Sequence, residues 1–155
     1  MSESDVVLSR KVELGDLVVF IDGLTRTGKS MLGPILSSFS RVEMERMEGM
    51  IEYIGTLYRI KKISKDAAIT LLRTKVDQWL YEGMIGRNTN FRFSDHSSVW
   101  KSSRVFEYMK RLRGQEGVAV LQRIRRERPI FQNQTHDQLT NFEFFYESLA
   151  NGCVL

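Results

Sequence analysis

Residues 23–30 read Gly-Leu-Thr-Arg-Thr-Gly-Lys-Ser and fit the pattern G-x-x-x-x-G-K-[ST]. Each fixed position has a chemical reason. A loop that wraps a phosphate with its backbone N–H groups needs the positive φ and close approach that glycine allows, which Gly23 and Gly28 supply. Lys29 adds a full positive charge, and the Ser30 hydroxyl can meet a phosphate oxygen or a magnesium ion. A helix opening at this point would aim the partial positive charge of its N-terminus at the same anion.

The flanking residues fit that use. Leu17, Val18, Val19, Phe20 and Ile21 form a short apolar run before Asp22-Gly23, as in a strand covered on both faces of a parallel sheet. Residues 31–38 suit a helix with Pro34 in its first turns, and 39–44 a second short strand, giving a βαβ unit. Ser64 can cap a helix whose apolar stripe is Ala68, Leu72, Val76 and Trp79, ended by Gly83 and Gly86. Residues 87–98 are polar and irregular. Helices are expected over 104–112 and 118–128, then a strand over 129–134. A last helix has the stripe Leu139, Phe142, Tyr146 and Leu149, with Gly152 as its stop. Cys153-Val154-Leu155 reads as the start of another strand, so the chain is expected to be a piece of a longer protein.

The fold class expected is α/β: a P-loop nucleotide-binding type three-layer domain over residues 1–155, with a short parallel sheet and many helices. Composition agrees with one globular unit: 42% hydrophobic and 27% charged residues, with only two prolines. No apolar run approaches the roughly 20 residues of a membrane helix. The N-terminus, acidic and without an apolar stretch, does not read as a secretory signal, so a cytoplasmic protein is expected. One cysteine excludes an internal disulfide, and one cysteine with two histidines argues against a zinc site. The net charge of +4 suits an anionic ligand without calling for nucleic acid. The basic runs at 110–113 and 123–128 read as solvated helix faces or as a binding patch.

A magnesium-dependent nucleotide hydrolase needs an acid at the end of a second apolar strand. No aliphatic run downstream of the loop ends in Asp, and Asp95, after Phe91-Arg92-Phe93-Ser94, is a poor substitute. For proton transfer the chain offers His136, in Gln134-Thr135-His136, and His96. His136 also suits a structural role as helix cap or hydrogen-bond partner; His96 is the rival base, and Asp95 beside it also suits the cap of a short helix. Arg87, Asn88, Asn90 and Arg92 read as an acceptor or nucleotide lining, or as an ordinary polar loop; Trp79 and Trp100 read as packing residues.

In this order of elements the chain resembles the N-terminal portion of the P-loop sulfotransferase family. The resemblance rests on residues 25–30 after the first strand and on Thr135-His136 after a later one. It implies that Thr25, Arg26, Thr27, Gly28, Lys29 and Ser30 hold the 5′-phosphosulfate of 3′-phosphoadenosine 5′-phosphosulfate. It also implies that Lys29 and His136 are the catalytic pair, with His136 as base toward an acceptor hydroxyl or amine, and that no metal is needed. The loop fits the general phosphate-loop pattern more closely than many sulfotransferase loops do. The alternatives are therefore a small-molecule kinase using ATP and magnesium, or a nucleotide-dependent binding domain. The partners expected are a nucleotide-like donor and a hydroxyl-bearing acceptor.

Overall fold

The computed structural model describes residues 7–8, 14–15, 17–136, 138–149 and 153–154. The chain is mixed α/β, with a small parallel sheet. The apolar run becomes β1 (Val18–Ile21), the middle strand. On one side it pairs with β2 (Phe131–Gln134), Val18 opposite Phe131 and Ile21 opposite Gln134. On the other it pairs with β3 (Cys153–Val154), Val18 opposite Cys153. The central position explains the unbroken apolar sequence: Val18, Phe20 and Ile21 are buried. The strand expected at 153–155 is thus present over Cys153–Val154; Leu155, and the stop assigned to Gly152, lie outside the described residues.

The second strand expected at 39–44 does not form. Instead residues 42–46 run beside β2 as two isolated parallel bridges, Val42 with Ile130 and Arg46 with Asn133. A step of four residues on one side then matches a step of three on the other, so the ladder cannot continue in register. The Met44 N–H donates to the Tyr108 hydroxyl (3.0 Å). Side by side, the parallel segments run 42–46, β2, β1, β3.

The helix after the loop is shorter than expected. A 3-10 turn, Lys29–Met31, leads into α1 (Leu32–Leu36). The hydroxyls of Ser37 and Ser38 donate back to the carbonyls of Pro34 (3.0 Å) and Ile35 (2.6 Å) and close its end. The other helices are α2 (Gly49–Arg59), α3 (Lys65–Met84), α4 (Val105–Arg111), α5 (Val118–Glu127) and α6 (Phe142–Ser148). Ser64 caps α3, its Oγ accepting from the Ala67 N–H (3.2 Å). The buried stripe of α3 is Ala68, Leu72, Val76 and Leu80; Trp79, half-buried, stands beside it rather than in it.

The expected stripe of α6 is also corrected. Leu139, Phe142 and Tyr146 are exposed, while Phe144, Phe145, Ser148 and Leu149 are buried. Among so many aromatics, spacings of three and four fit two faces equally well. The sheet selects the one on which Phe145 packs edge-on against Phe20, ring centroids 5.1 Å apart. The main core is this contact together with Val18, Phe131, Ile51, Ile54 and the α3 stripe. Each large apolar side chain buried there contributes about 1.5–3 kcal/mol. No helix of the described residues is long and apolar enough to cross a membrane.

Candidate functional site

The chain leaving β1 runs through α1 to residues 42–46, beyond β2; the chain leaving β2 runs through α6 to β3, on the other side of β1. Connections from two neighbouring strands therefore diverge, and in parallel sheets the crevice at the carboxyl ends of such strands is where ligands bind. The 23–30 loop and Thr135-His136 both lie at that edge, because Ile21 and Gln134 end the two strands in register.

In the loop, Gly23 (φ 139°), Arg26 (φ 67°) and Gly28 (φ 84°) take positive φ. The two glycines do so without the steric cost that Arg26 bears. The Thr27 hydroxyl donates to the Leu24 carbonyl (2.8 Å) and braces the turn. Among the described residues, nothing accepts from the backbone N–H groups of Thr25, Arg26, Thr27 and Gly28. Thr25 to Gly28 are exposed, and a Cβ on Gly28 would meet no atom within 4 Å. A turn with free N–H groups and open space before it is an anion-binding concavity. Lys29 is 6% exposed. Its ammonium donates to the carbonyls of Gly23 and, at 3.0 Å, Leu24. Two of its three donors are so used, and one remains. Ser30, half-buried, opens the 3-10 turn beside Lys29.

Asp22 ties the two strand ends together. Its carboxylate accepts from the Thr135 hydroxyl (2.9 Å) and the Leu139 N–H (2.9 Å). Burial pushes its pKa up, but hydrogen bonds from the Gln138, Leu139 and Gly23 N–H groups and from Thr135 outweigh this and hold it below the usual carboxylate range. His136 follows. Its backbone N–H donates to Glu52 Oε1 (2.9 Å), and its Nδ1 lies 3.1 Å from the same oxygen. A carboxylate on Nδ1 fixes the Nδ1–H tautomer and leaves Nε2 as the acceptor. The His136 side chain is 40% exposed, so it is not a core residue.

Glu52 was not expected from the sequence, nor was Glu48, which holds its helix. Glu48 caps α2: Oε1 accepts from the Met50 N–H (3.1 Å), and Oε2 from Trp79 Nε1 (2.7 Å). Lys75 lies 3.2 Å from the same Oε2, and the Glu48 N–H donates to Asn133 Oδ1 (2.9 Å). The first turn of α2 is so pinned to β2 and α3, and Glu52 stands in it one turn after Glu48. The signal available was an acid at a helix start followed four residues later by another. Nothing in the sequence paired it with a histidine 84 positions away.

The other residues considered lie elsewhere. His96 lines a crevice with Pro34, Ser37, Glu45 and Lys101, on the flank of α1. Asp95 accepts from Asn90 (3.1 Å) and Ser94 (3.1 Å), which hold its pKa down, and closes its own loop. Asn88 accepts from Arg46 and donates to Glu82, and Asn90 also donates to Ser97 (3.0 Å). Arg87 faces Glu116 at 4.0 Å. These asparagines shape the loop. Among the described residues, no group of three or more His, Cys, Asp and Glu side chains is placed to hold a metal ion. No family model matches the chain, and comparison with curated proteins and with solved structures finds no match.

Proposed function

We propose that the chain is the donor-binding part of a P-loop type, three-layer sulfotransferase domain, acting on an acceptor hydroxyl or amine. One observation carries the reading: a loop of free N–H groups and a carboxylate-oriented histidine stand at the ends of two neighbouring parallel strands. The residues fit a phosphate or phosphosulfate end. The N–H groups of Thr25 to Gly28 would hold it, with Lys29 and Ser30 beside them. The donor, 3′-phosphoadenosine 5′-phosphosulfate, supplies an activated sulfuryl group when bound. Lys29 stabilises charge at the loop with its remaining donor. His136 takes the acceptor proton at Nε2, and Glu52 stabilises the imidazolium that results.

Neither strand end at the loop offers a free carboxylate for magnesium: β2 ends in Gln134, and the Asp22 oxygens accept from Thr135 and Leu139. This favours the sulfotransferase over the ATP-dependent kinase. Calorimetry with 3′-phosphoadenosine 5′-phosphate and with ADP, each with and without magnesium, tests the reading. Tighter binding of the former without need of magnesium is expected. Magnesium-dependent preference for ADP overturns it in favour of a kinase.

A further inference from the structure

The basic run at 110–113 is not used by the site above. It lies on α4 and the turn after it, where Phe106, Met109, Lys110, Leu112 and Arg113 line an open groove of about 370 Å³. Three of these five are large apolar side chains, two are cations, and none is an acid. Phe106 is 79% exposed. Lys110 and Arg113 make no ion pair among the described residues.

The 3-10 turn Val99–Lys101 packs against α4, Val99 against Tyr108 and Val105. It brings Trp100, on which Phe93 stacks with ring centroids 5.0 Å apart and planes 11° apart. Phe93 is 74% exposed. Arg92, exposed, lies 3.9 Å from Asp95, and Lys101, also exposed, lines the crevice that holds Glu45 and His96. The nearby acids are turned to other uses: Glu107 accepts from Arg111 (2.7 Å), and Asp95 accepts from Asn90 and Ser94.

We propose that this face docks on an anionic lipid surface. Large apolar side chains left in water gain by entering an acyl layer, and an interfacial surface is one that pairs them with Lys and Arg at headgroup depth. Aromatic side chains are favoured at that depth. Charge argues against a second copy. A two-fold contact on this patch would set Lys110 and Arg113 against their own equivalents with no acid to relieve them. Nucleic acid would meet the cations but leave Met109 and Leu112 unused.

The test is flotation of the full chain with vesicles at about 0.15 M salt. One set is phosphatidylcholine, the other phosphatidylcholine with a third phosphatidylserine. Binding to the anionic vesicles alone is expected. Lys110→Glu with Arg113→Glu should cut partitioning roughly tenfold or more, since each cation near the surface contributes about fivefold. Phe106→Ser with Met109→Ser should also release the protein. All four residues are at the surface, and thermal melts matching the parent show that the variants fold. No binding to anionic vesicles, equal binding to neutral ones, or unchanged binding of Phe106→Ser/Met109→Ser overturns the proposal. So does sedimentation showing self-association that the same pair abolishes.

Discussion

Lys29 and His136 sit at one sheet edge and are held by different partners, so their loss should read out differently. Lys29→Ala removes a charge from the loop and is expected to weaken donor binding and slow transfer together. His136→Ala should leave donor affinity, measured by calorimetry, nearly intact and lower the rate by roughly 10²–10⁴. Glu52→Gln keeps the side chain's shape but removes the charge beside Nδ1 that would stabilise an imidazolium in the proposed transfer, so a smaller loss of rate is expected, again with donor binding intact. Equal loss of donor binding in all three would mean that His136 and Glu52 hold the loop rather than move a proton. A second residue-scale prediction concerns Glu45. It is 6% exposed and its Oε1 has no hydrogen-bond partner. Burial raises its pKa from 4.5 to about 7. The folded state therefore binds a proton that the unfolded chain releases above pH 4.5, and stability falls as pH rises from about 4.5 to about 7. With screening at the crevice mouth, where His96 and Lys101 also stand, the loss is on the order of 2 kcal/mol. Urea melts across that range should show the slope in the parent and lose it in Glu45→Gln.

Among the elements, α1 stands directly after the loop, its Gly33 carbonyl accepting from Gln132 Nε2 of β2 (3.1 Å). Gly33 lets it lie against residues 42–46: a Cβ there would overlap the Glu45 carboxylate and its Cβ. Gly33→Ala is expected to cost about 1–3 kcal/mol by overpacking, despite the better helix propensity of alanine, and to lower the thermal midpoint. An unchanged or raised midpoint would mean that Glu45 swings clear. How far the elements could be read from the sequence follows from where their information lies. The strand at Val18–Ile21, its loop and the Ser64 cap are local patterns, and they were legible. The α6 face was not, because Leu139, Phe142 and Tyr146 repeat as well as Phe144, Phe145 and Ser148 do, and only Phe20 distinguishes them. The strand expected at 39–44 was not legible either, because the pairing of residues 42–46 is decided by a mismatch with residues 130–133. The loop side of the candidate site was legible for the same reason as β1. Its Glu52 side was not, since that contact spans 84 positions and depends on Glu48 pinning α2.

At the scale of the whole molecule, one buried charge pair joins the sheet edge to the helices that carry the basic apolar face. Glu43, in the 42–46 segment, accepts from Arg111 of α4 through both oxygens, at 2.6 and 2.9 Å. Arg111 also donates to the Gly83 carbonyl of α3 (3.2 Å) and lies over the Tyr108 ring, 4.5 Å from its centroid. Tyr108 is fully buried, and burial with the nearby Glu43 charge pushes its pKa up to about 12, so its hydroxyl stays neutral and donates to Glu43 (3.3 Å). Both oxygens of Glu43 are thus satisfied by a charge and by hydrogen bonds, which is the condition for tolerating burial. Breaking the pair from one side removes that condition. Arg111→Met leaves the buried Glu43 carboxylate with only Arg104, 3.9 Å away, as a nearby cation, and unfolding in urea should show a loss of about 3 kcal/mol. Removing both charges is different in kind. Glu43→Gln with Arg111→Met leaves no buried ion, and it should recover a large part of that loss although it has one substitution more. If the double variant is instead as unstable as the sum of the singles, the pair acts through packing of the long Arg111 side chain, and its charge is incidental. The link also predicts a coupling across the molecule. Because Arg111 sits between Lys110 and the groove residue Leu112, loss of the pair should weaken vesicle binding in Arg111→Met more than in the double variant, which restores both the net charge and the larger part of the stability.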